Sequence, residues 1–456
     1  MQSTSVRRAV VEPGGSGVVA HVGLHAIGTF ADRLRLGDLL SDKIISKGER
    51  RPVHDRGKVL TQMALVLAGG GESCADIEHL RFQPELFGQV ASDSTVFRAL
   101  HELDGATLGR LAAATSKVRG EVWRRSSTTT GNYPVVLDID ASLVEIHSEH
   151  KEHTAANYKG GFGFHPMFCF ADATGEALAG ILRAGNAGAN TVTDHVTVLD
   201  QAIAQLPEGI QQGHRVGDDV STAQRAITVR ADTAGCTEGF LSAARSRNVN
   251  FCVTVRTSAQ ITSAIFDAEN LPEVWLPAVT KDGELRQGAA VGELTELVSF
   301  DQFPTGTRLI IRREPLHGGA QRSLFPSLQF RYWGFVTDLD GDPRLLDQHM
   351  REHAHVEQHL ERLKDSGLCS FPFSKFAANE AWLFLVRLAA DLVRWFQLLC
   401  LDRTWRNARP KTLRWGLLHA PGRLVRRSRK AIIRIADGWP ATDVLLEAHK
   451  RINLLI

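Results

Sequence analysis

Between Tyr133 and Val255 strand and helix signals follow one another in an order that few architectures accommodate. The run Tyr133-Pro134-Val135-Val136-Leu137-Asp138-Ile139-Asp140-Ala141-Ser142 is rich in β-branched residues and reads as a strand that ends in carboxylates. Two more strand patterns, Pro166 to Ala171 and Glu176 to Leu182, are joined by the hairpin turn Asp172-Ala173-Thr174-Gly175. An amphipathic stretch from Asp194 to Gln205, a strand from Ala226 to Arg230, a helix from Thr237 to Arg247 and a strand from Asn250 to Val255 complete the series. Strands joined by tight turns pair antiparallel, whereas strands separated by a helix pair in parallel through a crossover. The order β-β-β-α-β-α-β therefore predicts one mixed sheet.

That order matches the ribonuclease-H-like arrangement, three antiparallel strands extended by parallel ones, and the fold class expected is α/β. The catalytic core would begin at residue 131, after the polar, turn-prone linker Arg124 to Asn132, and its first part would run to 256. Before it, residues 1–125 read as an all-α domain, with 3.6-residue apolar spacing over Thr29–Leu40, Arg56–Ala68, Ser73–Leu80 and Ser92–Leu103 and plausible N-caps at Ser73 and Ser92. These helices suit a DNA reader presenting Arg98 and His101, or equally a plain bundle. Residues 257–342 return to strand-like patterning (Leu294–Phe300, Arg308–Glu314, Leu328–Thr337) and read as a β-rich insertion. A helix from Leu345 to Lys364, stopped at Gly367, and a second, all-round apolar helix from Ala377 to Leu401 complete the core over 343–402.

The last segment, 403–456, reads as a basic helical region. Between Arg403 and Arg434 it carries Arg403, Arg406, Arg409, Lys411, Arg414, Arg423, Arg426, Arg427, Arg429, Lys430 and Arg434 with no Asp or Glu, although the whole chain of 456 residues has a net charge of only +2. Such a block is the electrostatic footprint of a polyanion partner, although solvated basic faces also occur in proteins that bind none. Arg426, Arg427 and Lys430 are its candidate phosphate contacts. Six cysteines spread singly argue against a disulfide framework or a zinc ribbon. No run approaches the roughly 20 uncharged residues of a membrane span, and Arg7-Arg8 is followed by Glu12-Pro13-Gly14-Gly15 rather than an apolar signal core, so a cytoplasmic protein is expected.

Three carboxylates stand where this topology would gather them. Asp140 ends the first strand, Asp232 lies just past the fourth, and Glu357 lies inside the late helix. In a ribonuclease-H-like sheet the first and fourth strands are neighbours, and a helix across the sheet can add Glu357. Three carboxylates at one point repel one another unless a hard cation neutralises them, which points to two Mg²⁺ ions, with Mn²⁺ as a substitute, and to phosphoryl transfer on nucleic acid. His353, Glu357, Glu361 and Lys364 share one helical stripe, so Lys364 lies about 10 Å along the axis from Glu357, suited to holding the next phosphate.

The segments Leu137-Asp138-Ile139-Asp140-Ala141-Ser142, Phe164-His165-Pro166, Gly175 to Gly180 with Arg183-Ala184-Gly185-Asn186, Arg230-Ala231-Asp232 and Val356 to Leu368 resemble those of bacterial insertion-sequence transposases of the DDE class. The likeness is to the group with a β insertion before the catalytic Glu, most closely the insertion-sequence family numbered thirteen-eighty. It implies that Asp140, Asp232 and Glu357 are the metal-binding triad and Lys364 the lysine of the signature Tyr-x2-Arg-x3-Glu-x6-Lys. The sequence departs from that signature at Met350, where Tyr is expected, and at His353, where Arg would hold DNA. The partners implied are terminal inverted repeats and target DNA, bound by a homodimer.

Asp138 points to the same strand face as Asp140, so periodicity alone does not separate them; Asp140 is chosen because it lies nearer the strand end. The loop His147, His150 and His153 with Glu145, Glu149 and Glu152 reads as a solvated turn, Gly69-Gly70-Gly71 lacks the Lys-Ser/Thr of a phosphate loop, and Trp275 and Trp333 are either core or base-stacking residues. A structure-specific nuclease on the same fold, or a decayed transposase that only binds DNA, stands as the alternative.

Overall fold

The computed structural model describes residues 10, 12–45, 52–129, 134–316, 330–428 and 430–455. Its centre is a nine-stranded sheet built from β1 (Val135–Ala141), β2 (Met167–Ala171), β3 (Glu176–Ile181), β4 (Ile227–Ala231), β5 (Val249–Val255), β6 (Trp275–Val279), β7 (Leu285–Glu293), β8 (Arg308–Pro315) and β9 (Phe330–Thr337). The strand order is β6-β7-β8-β9-β5-β4-β1-β2-β3. β1, β4 and β5 run parallel, and every other neighbouring pair is antiparallel. The expected hairpin between β2 and β3 forms, with Gly175 at a φ of 68° that disfavours a side chain.

The segment read as an insertion does not fold as a separate sheet. Its four strands continue the central sheet beyond β5, because β9 pairs with β5 from Gly334–Val255 to Thr337–Cys252. Gly334 sits between Ile311 of β8 and Val255 of β5, where a Cβ would lie 2.6 Å and 3.1 Å from their side chains. Two details of the pattern differ from expectation. Residues 259–269 are helical, with Ser258 as N-cap, and Leu294 to Phe300 holds one short 3-10 turn rather than a strand. Leu294 is fully buried, and Leu297, Val298 and Phe300 pack partly buried against the same core, so the apolar spacing is met by a turn rather than a strand. The residues expected to open the last strand, Leu328 and Gln329, lie outside the described residues, as does part of the 124–132 linker.

One sheet face packs on α5 (Val192–Gln205) and α6 (Glu238–Arg245), which bury Val198, Leu199, Phe240 and Leu241. On the β2–β3 side the sheet meets α9 (Phe376–Cys400), whose apolar circumference is buried nearly throughout. Around α9 gather α1 (Val22–Arg33), α2 (Arg56–Ala68), α3 (Asp93–His101), α4 (Gly105–Arg125) and α10 (Thr442–Asn453). The N-terminal helices, α9 and the C-terminal helix thus share one hydrophobic core. An ionic network locks this layer to the sheet. Arg119 of α4, 1% exposed, bonds Glu176 at 2.9 Å and Asp391 at 2.5 Å, while Trp123 and Trp395 donate to Glu176 at 2.6 Å.

The basic region is not helical throughout. Gly422–Arg427 and Lys430–Ile435 pair as an antiparallel hairpin, and Val18–Val19 adds to its edge. Leu424, Ile433 and Ile435 lie half-buried on one face while Arg423 and Arg434 stand exposed on the other, an alternation that suits a half-exposed strand better than a helix. Among the described residues no helix is long and apolar enough to cross a membrane.

Candidate active site

The parallel register places the first two acids opposite each other. Ile139 pairs with Ala231, the last rung between β1 and β4, so Asp140 and Asp232 emerge together from the same edge of the sheet. Asp232 caps a 3-10 turn, accepting from Ala234 N at 2.9 Å, which turns the chain away and leaves the side chain exposed. Glu357 comes from a helical stack laid across this face. Asp342 caps α7 (Pro343–Arg351), Pro343 fixes its first turn, a 3-10 turn (Glu352–Ala354) follows, and α8 (His355–Leu363) carries Glu357 on its exposed side. Val356, Leu360 and Leu363 bury the opposite stripe.

Asp140 is the electrostatic centre of the group. Burial pushes its carboxyl up, its bond from Ala141 N at 2.7 Å pulls it back, and the charges of Asp232 and Glu357 add to the rise, so that it titrates at about 6. Two further carboxylates thus bear on the charge of Asp140, and a hard cation would offset that opposition. The all-oxygen donor set suits such an ion. Among the described residues, however, no three His, Cys, Asp or Glu side chains are drawn close enough together to hold one.

Asp138 has a different fate. It is fully buried, and Arg230 grips both its oxygens at 2.8 Å while His353 Nδ1 lies 2.7 Å from Oδ1. Burial alone would raise its pKa, but the hydrogen bonds from His353 and Arg230 and the Arg230 charge outweigh that and hold it below the usual carboxylate range. Arg230 also reaches Asp172 at 3.2 Å, Glu352 at 3.6 Å and the His349 carbonyl at 2.7 Å. It ties β4, β1 and the β2–β3 turn to α7 and to the 3-10 turn that leads into α8. The sequence signal for Arg230 is an arginine inside the otherwise apolar strand Ile227–Ala231, two residues before Asp232, and on the face of Asp138.

The whole chain, residues 1–456, matches the family described as transposase DDE domain group 1. The chain belongs to this family. Among curated proteins nothing matches it. Among solved structures it is similar to the cryo-EM structure of the piggyBac transposase synaptic complex with hairpin DNA, at 9% identity and a TM-score of 0.44, covering 87% of this chain and 80% of that one. DDE transposases generally use divalent metal ions, and the donor chemistry around Asp140 agrees with that use.

The remaining candidates of this DDE-family chain lie as follows. Met350 is buried with its sulfur 3.5 Å from Cys252, an apolar position that a tyrosine hydroxyl would not suit. His353 faces Asp138, with 12% of its side chain exposed. Lys364 Nζ is 3.2 Å from Glu361, at the end of α8, where the chain turns at Gly367. Arg98 is exposed on α3, and His101 stacks on Phe97 with ring centroids 4.1 Å apart. Trp275 is core, 8% exposed, whereas Trp333 is 56% exposed with the Arg312 guanidinium 4.6 Å from its ring. In the histidine-rich loop, Glu152 pairs with Lys375 at 2.7 Å and His153 packs on Phe376.

The basic block divides into two kinds of residue. Arg409 pairs with Glu361 at 2.9 Å, Lys411 with Asp365 at 3.3 Å, and Arg414 donates to the carbonyls of Ala68 at 3.0 Å and Leu67 at 3.2 Å. These latch the C-terminal region to α8 and to the end of α2. Arg423, Arg426, Arg427, Lys430 and Arg434 instead stand exposed on the hairpin. Arg426 makes one exposed contact, to Glu85 at 3.1 Å.

His349, beneath this site, gives a pH prediction. Burial first, and then the Arg230 charge, lower its pKa to about 4, and its Nε2 is buried without a partner. The folded state thus binds fewer protons than the unfolded state between pH 4 and 6.5, and stability falls as pH drops through that window. His349→Leu is expected to flatten the pH dependence of urea unfolding there by about 1 kcal/mol per pH unit. An unchanged slope between about pH 6.5 and 4.5 would show that His349 protonates freely when folded.

Proposed function

We propose that this chain is a DNA transposase that binds the terminal inverted repeats of its own insertion sequence and carries out metal-dependent strand cleavage and strand transfer. The observation that carries this reading is the meeting of Asp140 and Asp232 at the ends of adjacent parallel strands, with Glu357 close enough to disturb the ionisation of Asp140. The strand order β3-β2-β1-β4-β5 supports a ribonuclease-H-like core, and the commitment of Asp138 to Arg230 supports Asp140 as the ligand from β1. Two divalent cations, Mg²⁺ or Mn²⁺, when held by Asp140, Asp232 and Glu357, supply activation of the attacking hydroxyl and neutralisation of the leaving oxygen. The protein's own residues hold the DNA. Lys364 takes a phosphate beyond the cut, His353 steadies the edge of the site through Asp138, Arg98 meets the end sequence, and the hairpin supplies phosphate contacts. Acting on two ends calls for a homodimer, and bacterial origin with a nucleoid location follows from the insertion-sequence reading.

The deciding test is strand transfer with a pre-cut end. Joining of its 3′ hydroxyl to a target duplex supports the transposase. Cutting without joining identifies a nuclease, and binding alone a DNA-binding remnant.

The hairpin is expected to contribute charge rather than sequence readout. Neutralising Arg426, Arg427 and Lys430 together is expected to reduce the slope of log affinity against log salt by up to about 0.9 for each phosphate these side chains no longer neutralise. Affinities for specific and random duplexes measured over a salt series check this, and an unchanged slope would place the hairpin off the DNA.

A further inference from the structure

Trp415 is 82% exposed, an unusual position for a side chain that contributes most when packed. Trp123, Trp275, Trp382 and Trp395 are all buried in the same chain. Nor is its backbone loosely held. The helical turn Pro410–Leu413 runs into a wider turn, Arg414–Leu418, seated on buried Leu413, Leu417 and Leu418. On one side of Trp415 the Arg414 guanidinium bonds the last carbonyls of α2 and that of Asp365. On the other, the Gly416 carbonyl accepts from Trp439 Nε1 at 2.9 Å, and Gly416 lies so near the Trp405 ring that a Cβ would come within 2.3 Å of it. A large apolar ring is therefore held out into solvent by a pinned backbone.

Its surroundings are cationic. Lys411, four residues earlier on the same helical face, has 72% of its side chain exposed, and Arg409 has 60%. Both are tied to Asp365 and Glu361 at the end of α8. From Glu357 to Asp365 is about 12 Å of helix, roughly the rise of three to four stacked nucleotides. The ring thus stands beside the path that leads away from the carboxylates past Lys364.

We infer that Trp415 is a stacking platform for an unpaired nucleobase of the DNA near the cut. This rests on the DNA-processing reading above and adds a ligand to it. Positive neighbours select a polyanion over an apolar protein surface, and a flat exposed ring takes a base only where its face is free, at an overhang, a gap or an extruded nucleotide. Trp415 would then hold the strand that separates from its complement, while Lys411 holds its phosphate.

The test uses the full chain with a chelator present, and two probes, a duplex with a single-stranded thymidine overhang and the same duplex without one. Trp415→Ala is expected to lose about 5- to 100-fold in affinity for the overhang probe, with less than about twofold change on the blunt one. Trp415→Phe is expected to keep most of the affinity. The salt slope should stay unchanged in Trp415→Ala and become shallower by up to about 0.9 in Lys411→Ala. Because the ring is exposed, the thermal midpoint of Trp415→Ala should match wild type. Equal affinity of Trp415→Ala and wild type for both probes would overturn the inference and leave the DNA-processing reading standing. So would an equal loss on both probes, or loss of self-association with DNA affinity intact. Wild-type protein that binds neither probe would overturn both.

Discussion

Asp140→Ala, Asp232→Ala and Glu357→Ala are each expected to lower divalent-cation-dependent cleavage of the element ends on the order of a thousandfold or more, about 4 kcal/mol in barrier, with end binding retained. Removing any one carboxylate leaves two ligands for a pair of dications, too few to fix both the attacking and the leaving oxygen. The accompanying stability change should run the other way. Asp140 ionises only at about 6 because burial and its two acidic neighbours oppose its charge, so above that pH the metal-free protein carries that opposition in full. Asp140→Asn is expected to raise metal-free stability at about pH 7.5 by about 1–2 kcal/mol, reduced from the fully buried limit because the group is partly exposed. Titration calorimetry with Mn²⁺ should show weaker binding in all three variants. A variant that still cuts at the wild-type rate would not be a ligand.

Much of this geometry was legible in the residues. The run from Val135 to Ala141 announced a strand by its β-branched alternation, and a turn at Asp172–Gly175 followed by crossovers left little choice of strand order. Adjacency of Asp140 and Asp232 follows from that order, because a parallel neighbour reached through one crossover ends at the same sheet edge. What local pattern did not carry was pairing at a distance. The strands after Arg256 look the same whether they form their own sheet or extend the first, and only the β9–β5 register decides. Nor does a count of charge separate the arginines that cap helices from those that face solvent. Arg414 and Arg426 belong to one basic block by sequence, yet one closes the end of α2 and the other stands on a hairpin. Likewise the helical pattern before residue 125 gave no sign that Arg119 is buried against Glu176 and Asp391, partners 57 and 272 positions away.

The opposite pairing of effects is expected two residues earlier on the same strand. Asp138→Ala leaves the Arg230 guanidinium fully buried and without its bidentate partner, which is expected to cost about 3–5 kcal/mol in unfolding free energy. Asp172 and Glu352 compensate only in part, at longer range and with more exposed carboxylates. Asp138→Asn keeps the shape and one acceptor but gives up the charge, and about 1.5–3 kcal/mol is expected. The carboxyl is held below the usual range, so its contribution is present above about pH 3.8 and lost only as pH falls through the depressed value. The deficit of Asp138→Asn should therefore stay constant from about pH 8 to 5. Studied well below its melting temperature, this variant should still bind Mn²⁺ and still cut, because both oxygens of Asp138 are taken up by Arg230 and one of them also by His353. Asp140→Asn should behave inversely, gaining stability and losing cleavage. The contrast rests on one physical difference, that Asp138 spends its charge on a buried arginine, whereas Asp140 has no cationic hydrogen-bond partner, only the Ala141 N–H, and two acids oppose its charge. If a folded Asp138→Asn failed to bind Mn²⁺ while Asp140→Asn cut DNA, the two roles would have to be exchanged.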